Sequence, residues 1–87
     1  MKKKNEVIIY TSALCGFCYK AKSLLKKKNI FFHEINIDID PEKREEMITK
    51  SKGRTTVPQI FIGDYHVGGC DDLFQLENDN DLRNLNE

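Results

Sequence analysis

The order of hydrophobic patterns along the first forty residues constrains the fold of this 87-residue chain more than any other feature. Val7–Tyr10 is a continuous apolar run, typical of a short strand that is buried on both faces. Apolar residues then recur with helical spacing across Phe17–Leu25, with lysines between them. Beyond Phe31, isoleucines alternate with polar residues as far as Ile39, as in a half-exposed strand. This order of strand, helix and strand predicts a right-handed βαβ unit.

The second half of the chain predicts a helix, a hairpin and a last helix. Asp40 and Pro41 are residue types preferred at the N-cap and at the first position of a helix, which should continue to Lys50. The hairpin and the last helix are predicted for Gln59–Ile62, Tyr65–Val67 and a segment starting at Asp71, with a final turn docked by Leu82 and Leu85. We therefore predict an α/β fold, with a four-stranded mixed sheet and helices on both faces.

The length of the chain and its apolar runs limit its organisation. Eighty-seven residues suffice for one hydrophobic core, so residues 1–87 are predicted to form a single domain. The longest apolar run has four residues, far below the ~18 of a membrane-spanning helix. The apolar stretch after the charged N-terminus is also shorter than the ~7 to 15 residues of a secretory signal. We expect a cytoplasmic protein without a membrane span.

Lysines are concentrated in the first part of the chain, although the formal net charge is zero. They are not interleaved with aromatic residues and belong to no motif that reads nucleic acid. We interpret them as a solvated face and predict no nucleic-acid partner.

Cys15 and Cys18 form a Cys-x-x-Cys pair where the first strand ends and the first helix begins. Three cysteines are too few and odd in number for a disulfide framework, which favours catalytic or metal-binding thiols. If Cys15 caps the helix, unpaired backbone N–H groups and the helix dipole stabilise its thiolate. Cys15 is then the predicted nucleophile. Cys18, one turn further on and less exposed, is the predicted resolving thiol.

A structural zinc site is the main alternative for this pair, because Cys-x-x-Cys can supply half of a tetrahedral cage. Only Cys70, His33 and His66 could complete such a cage, and they occur singly rather than as a second close pair. We favour redox chemistry, predict no resident metal, and assign no special role to His33 or His66.

Three motifs make the chain resemble the glutaredoxin family. They are Tyr10-Thr11-x-x-x-Cys15-x-x-Cys18, Thr56-Val57-Pro58 and Gly68-Gly69-Cys70-Asp71-Asp72, in the family's order and spacing. The resemblance extends from about Glu6 to Leu76 and is greatest to the small bacterial dithiol glutaredoxins, with Cys-Gly-Phe-Cys as the active site. It implies a thioredoxin-like fold and a glutathione-dependent thiol–disulfide oxidoreductase. Cys15 would attack protein disulfides or protein–glutathione mixed disulfides, and Cys18 or a second glutathione would complete the cycle.

The resemblance also implies a glutathione site and partners. Arg44 aligns with the family's side chain for the glycyl carboxylate, although an exposed helix charge is an equal interpretation. Asp71 and Asp72 would bind the γ-glutamyl end, but without the resemblance they are ordinary acids at a helix start. Protein substrates such as ribonucleotide reductase are implied by the family. The full implied site is Arg44, Thr56, Val57, Pro58 (in a cis bond), Gly69, Cys70, Asp71 and Asp72.

Two departures from the family pattern leave questions open. Ser12 stands where many relatives carry lysine, so one positive charge near Cys15 is missing. Gly16 and Phe17 replace the commoner proline and tyrosine. Family members with glycine at this position can hold a [2Fe–2S] cluster between two subunits, so Cys15 and glutathione as cluster ligands form the alternative function. We expect a monomer, and a dimer only if a cluster is bound. Cys70 is either a buried, inert thiol, which we favour, or a third redox-active one.

Overall fold

A computed structural model describes residues 6–79 of the chain. In chain order these residues form β1 (Val7–Thr11), α1 (Gly16–Lys27), β2 (Phe32–Asn36), α2 (Pro41–Lys50), β3 (Gln59–Ile62), β4 (Tyr65–Gly68) and α3 (Cys70–Asn78). The strands form one sheet in the order β2-β1-β3-β4, in which β1 runs parallel to β2 and antiparallel to β3. The predicted four-stranded mixed sheet of the thioredoxin-like type is therefore confirmed.

The two faces of the sheet bury different residues, because side chains alternate along a strand. Ile9 of β1 lies in one core cluster with Leu25 of α1 and Leu73 of α3. Tyr10, the next residue, lies in a second cluster with Met47 of α2. Helices α1 and α3 therefore cover one face and α2 covers the other, which confirms the predicted layers.

Strand β2 is shorter than the alternating sequence predicts. It ends at Asn36, and the next residues form a turn in which the side-chain oxygen of Asn36 accepts a hydrogen bond from the Asp38 N–H at 2.8 Å. Ile37 is buried, but Ile39 is 81% exposed. The prediction of a strand as far as Ile39 is wrong, because the side chain of Asn36 offers the backbone a local alternative to the sheet ladder.

The predicted start of α2 is confirmed. The Asp40 carboxylate accepts a hydrogen bond from the Glu42 N–H at 3.0 Å, and Pro41 occupies the first helical turn, where no backbone donor is needed. Helix α1 ends at Lys27, and Asn29 has a positive φ of 60°, which prevents continuation of the helix.

Some predictions concern segments outside the described residues. The turn docked by Leu82 and Leu85 lies beyond residue 79, and the single domain over residues 1–87 stays a prediction. Across residues 6–79, no helix is long and apolar enough to cross a membrane.

Candidate active site at the start of helix α1

Cys15 is the N-cap of α1, as the sequence predicts. Its backbone is extended, with φ −133° and ψ 103°, and its Sγ accepts a hydrogen bond from the Cys18 N–H at 3.1 Å. No acidic residue lies in the first turn of α1. The Cys15 sulfur therefore lies at the positive end of the helix dipole, where a thiolate is stabilised.

Cys18 differs from Cys15 in its exposure. The two sulfur atoms are paired as a disulfide, with the Cα atoms 5.2 Å apart. Cys18 is only 1% exposed and lies in the helix, whereas Cys15 is half-buried at the helix end. A sulfur centre approaching from solvent can therefore reach Cys15 before Cys18.

The loop that leads to Cys15 is held by Asp38, in the turn after β2. The Asp38 carboxylate accepts hydrogen bonds from the Ala13 N–H at 3.0 Å and the Ser12 hydroxyl at 2.9 Å. These two bonds lower the pKa of Asp38, so the carboxylate stays ionised next to the loop. Ser12 therefore has a structural role of its own, because its hydroxyl connects the loop before Cys15 to the Asp38 carboxylate.

The Thr56–Pro58 segment lies opposite Cys15. The Val57–Pro58 peptide bond is cis, as the family resemblance predicted. The Val57 carbonyl oxygen lies 3.8 Å from the Cys15 sulfur. Pro58 is buried, while Thr56 is exposed and Val57 is partly exposed. The backbone before the cis-proline is therefore accessible directly beside the sulfur.

The start of α3 forms a second wall. The Asp72 carboxylate accepts a hydrogen bond from the Gly69 N–H at 2.9 Å, so Asp72 caps its own helix. Asp71, one residue earlier, is exposed. Gly68 has φ +115°, and a Cβ at this position would overlap the Asp72 carboxylate. Both the backbone conformation and the close approach of the Asp72 side chain therefore favour glycine at position 68.

These segments enclose a cleft of about 170 Å³. Seven of the residues that line the cleft were implied by the resemblance: Thr56, Val57, Pro58, Gly69, Cys70, Asp71 and Asp72. Phe17 and Arg54 also line it, and sequence reasoning missed both. Arg44 does not line the cleft but lies exposed on α2. Arg54 could have been predicted as a cationic side chain in the cleft, because it lies only two residues before Thr56 in the sequence.

Cys70 lies at the first position of α3, with 7% of its surface exposed. Burial raises the pKa of the Cys70 thiol, which keeps it protonated and weakly nucleophilic. These properties favour the inert interpretation over a third redox-active thiol.

A cysteine pair at a helix N-terminus, opposite a cis-proline on a thioredoxin-like sheet, defines a class of proteins that carry out thiol–disulfide chemistry. Comparison with known proteins identifies the family within this class. Residues 7–67 match the family model described as Glutaredoxin. Glutaredoxin 1 of Rickettsia prowazekii is 54% identical over 84 residues, which are 95% of this chain and 88% of the relative. The chain belongs to the glutaredoxin family.

Other relatives agree with this assignment. Glutaredoxin 3 of Escherichia coli strain K12 is 56% identical over 71 residues, covering 82% of this chain and 84% of the relative. Among solved structures, the glutaredoxin from Brucella melitensis superposes with a TM-score of 0.81 at 49% identity, covering 97% of this chain and 90% of that one. Family membership supports thiol oxidoreductase activity.

Proposed function

We propose that this protein is a glutathione-dependent oxidoreductase that reduces protein disulfides and protein–glutathione mixed disulfides. The observation that carries the proposal is the position of the Cys15 sulfur. It caps α1, 3.1 Å from the Cys18 N–H, and lies 3.8 Å from the Val57 carbonyl, beside a cleft that ends at the N-terminus of α3. One sulfur is thus stabilised as a nucleophile next to a groove with backbone donors and acceptors.

The reaction on a mixed disulfide has two exchanges. The Cys15 thiolate attacks the glutathione sulfur, the protein–glutathione bond breaks, and the protein leaves as a thiol with a proton from solvent. A second glutathione thiolate then attacks the Cys15–glutathione bond, which releases glutathione disulfide and the Cys15 thiolate. In total one glutathione thiol is oxidised for each mixed disulfide reduced, and the other half of the glutathione disulfide comes from the substrate.

A protein disulfide requires the second cysteine. Cys15 attacks one substrate sulfur and forms a mixed disulfide, and the other substrate sulfur leaves as a thiolate. Cys18, one helical turn away, then attacks Cys15 and releases the reduced substrate, which leaves the Cys15–Cys18 disulfide. Two glutathione molecules reduce this disulfide and become glutathione disulfide.

The cleft suits glutathione in an extended conformation. The Val57 N–H and C=O would pair with the cysteinyl residue of glutathione, as a strand adds to a sheet edge. The first turn of α3 would receive the γ-glutamyl carboxylate on backbone N–H groups, and the exposed Asp71 would bind the amine. Arg54, which lines the cleft, replaces Arg44 in our proposal as the partner of the glycyl carboxylate.

Apolar side chains beside Cys15 suit a protein substrate. Leu14 is 99% exposed and Phe17 is 59% exposed, and they flank the nucleophile in sequence. A protein chain docking over Cys15 would bury both side chains. The proposal therefore includes protein disulfides, with cytoplasmic enzymes such as ribonucleotide reductase as the substrates that the family implies.

The test is turnover of a glutathionylated peptide with glutathione, glutathione reductase and NADPH. We expect the wild-type protein to consume NADPH, and Cys15→Ser to reduce turnover to the uncatalysed rate. Ser23→Ala is the control, because Ser23 is an exposed residue of α1 that does not line the cleft, and this variant should keep the wild-type activity. Absence of wild-type turnover, or full turnover in Cys15→Ser, would contradict the proposed function.

Holding a [2Fe–2S] cluster is the second candidate, and the surroundings of Gly16 favour it. A Cβ at Gly16 would meet no atom within 4 Å, so the space beside Cys15 is open. Because Cys18 is buried, the chain offers one sulfur, and the remaining ligands would come from glutathione and a second copy. Anaerobic reconstitution with iron and sulfide tests this function: cluster absorbance in a dimer supports it, and a colourless monomer contradicts it. Gly16→Pro is the matched variant, because proline fills the open space beside Cys15, and its cluster absorbance should be lower than that of the wild type.

A further inference from the structure

Two side chains connect β4 to the segment that carries Val57. Gln59 is the first residue of β3 and is fully buried. Its amide nitrogen donates hydrogen bonds to the Thr56 carbonyl at 3.0 Å and to the Thr56 hydroxyl at 3.3 Å. Its amide oxygen lies 2.7 Å from Nε2 of His66 on β4. A continuous path of hydrogen bonds therefore runs from His66 through Gln59 to Thr56.

The path determines which nitrogen of His66 carries hydrogen. The amide nitrogen of Gln59 faces Thr56, so the oxygen of Gln59 is the group that faces His66. An oxygen can only accept, so Nε2 of His66 must be the donor. Burial and the nearby Arg54 charge lower the pKa of His66, and Asp72 opposes this shift. The neutral ring with hydrogen on Nε2 satisfies both the contact and the burial.

Packing holds the His66 ring in place. The ring stacks on Phe61, with centroids 4.6 Å apart and planes at 19°. His66 and Phe61 are also paired across β3 and β4 in the sheet. The ring therefore has one face against Phe61 while its edge contacts Gln59, which leaves Nε2 little freedom to turn away.

We propose that His66 is a positioning residue for glutathione: by donating to Gln59, it holds the Gln59 amide in the orientation that anchors Thr56 and, with it, Val57. The inference rests on the proposed function, because Val57 is the backbone that pairs with glutathione. His66 itself does not line the cleft, so it acts through Gln59. The proposal departs from the expectation, drawn from the sequence, that His66 has no special role.

The consequence of losing the donor follows from the burial of Gln59. Without the His66 N–H, the buried amide oxygen of Gln59 loses its hydrogen-bond donor. If the Gln59 amide rotates so that this oxygen reaches another donor, its nitrogen moves away from Thr56. Thr56 then loses its hydrogen bonds to the Gln59 side chain, and the backbone of Val57 beside it is held less firmly. Glutathione binding should weaken, whereas the Cys15 thiolate, held by the start of α1, should not change.

His66→Phe tests the proposal, because it keeps an aromatic ring against Phe61 and removes the donor. We expect the KM for a glutathionylated peptide to rise roughly tenfold, as for loss of one hydrogen bond of about 1.4 kcal/mol, with kcat within about twofold. The rate of Cys15 alkylation by iodoacetamide should be unchanged, since alkylation needs no glutathione site. His66→Gln restores a donor and should recover part of the KM.

His33→Phe is the matched control. His33 lies exposed on β2 and pairs with Glu6 at 2.8 Å, away from the cleft, so this variant should keep the wild-type KM. A KM for His66→Phe within twofold of wild type would overturn the proposal. A parallel fall in the alkylation rate would also overturn it, because it would indicate general damage to the fold.

NMR spectroscopy, which does not require enzymatic turnover, tests the positioning role of His66 independently of the proposed function. In ¹⁵N NMR spectra, His66 should show hydrogen on Nε2 and none on Nδ1 at neutral pH. His66→Phe should shift the Thr56 and Val57 amide signals more than His33→Phe does. If the wild-type protein fails to turn over the mixed disulfide but shows these signals, the proposed function fails while the positioning of Thr56 stands. Hydrogen on Nδ1, or unchanged amide signals, would contradict the positioning role.

Discussion

At the scale of single residues, a hydrogen bond between Ser12 and Asp38 holds the loop that leads to Cys15. A lysine at position 12 would stand next to the Asp38 carboxylate, which already accepts from the Ser12 hydroxyl at 2.9 Å. The two charges would pair, so the lysine would act on Cys15 only weakly. A lysine at position 12 should therefore lower the pKa of Cys15 less than its charge alone would suggest, because Asp38 neutralises part of that charge.

We predict that Ser12→Lys alone lowers the pH midpoint of Cys15 alkylation only slightly. Combined with Asp38→Asn, which leaves the lysine charge unpaired, it should lower the midpoint by about one unit. Iodoacetamide alkylation against pH measures both variants, with Asp38→Asn alone as the control. Equal midpoints in the single and double variants would show that Asp38 does not offset the lysine.

Arg54 and Arg44 form a second residue-scale comparison. Arg54 lines the cleft and Arg44 does not, so the proposed function assigns the glycyl carboxylate of glutathione to Arg54. We predict that Arg54→Gln raises the KM for glutathione roughly tenfold, as for loss of a hydrogen bond between charged groups at an exposed site. Arg44→Gln, the matched control, should change the KM less than about twofold. A larger rise of the KM in Arg44→Gln than in Arg54→Gln would indicate that Arg44 binds the glycyl carboxylate.

Contacts between elements hold the sheet and helices in the arrangement that the site needs. Tyr10 of β1 is fully buried, and its hydroxyl donates to the Glu46 carboxylate on α2. The bond lowers the pKa of Glu46, while burial and the same bond raise the pKa of Tyr10. This contact connects the central strand to the helix on the second face of the sheet.

The Tyr10–Glu46 bond makes stability depend on pH. Because its pKa is lower in the folded than in the unfolded chain, Glu46 stabilises the fold above the unfolded pKa of roughly 4.3, and this contribution is lost as the pH falls through the folded pKa. We predict that Tyr10→Phe lowers the free energy of unfolding by about 1 kcal/mol at pH 7 and by less at pH 3. Urea unfolding at both pH values measures this difference. Tyr65→Phe, at an exposed tyrosine of β4, should show neither effect.

The junction of β4 and α3 depends on the conformation of Gly68, which can be compared with that of Gly53 in the loop after α2. Gly68 and Gly53 both have positive φ, but a Cβ would overlap Asp72 only at Gly68 and would meet nothing within 4 Å at Gly53. We predict that Gly53→Ala costs about 1 kcal/mol from the backbone alone, and that Gly68→Ala costs at least about 2 kcal/mol. Thermal or urea unfolding of the two variants gives the difference. Equal costs would mean that Asp72 moves aside freely.

The whole molecule combines a half-buried Cys15 at the edge of the cleft with a fully buried Cys18. Because the proposed function requires Cys18 only to resolve a mixed disulfide with a protein, we predict that Cys18→Ser keeps turnover of the glutathionylated peptide within a few-fold and loses reduction of a protein disulfide. The same variant should retain substrate proteins as mixed disulfides on Cys15, which gel shifts without reductant detect. Loss of both activities would show that Cys18 also supports Cys15 itself.

Local patterns predicted much of the fold and site. The order of the elements, the cap at Cys15 and the start of α2 at Asp40 depend on residues within one or two turns of each other, so the sequence contains their causes. The end of β2 could not be predicted in this way. The alternation continues to Ile39, but the strand ends at Asn36. There the Asn36 side chain accepts a hydrogen bond from the Asp38 N–H, and the Asp38 carboxylate accepts one from Ser12, in place of the sheet ladder.

The sequence alone therefore determined the layers of the sheet, the cysteine pair at the helix start and the segments that form the cleft. Only the tertiary structure decided that Arg54 rather than Arg44 lines the cleft, and that hydrogen bonds connect His66 to Thr56 through Gln59. Periodicity and caps are short-range effects that a single segment displays by itself. A hydrogen bond such as Ser12 to Asp38 joins residues 26 positions apart, and its partners are determined only when the packed strands bring their loops together.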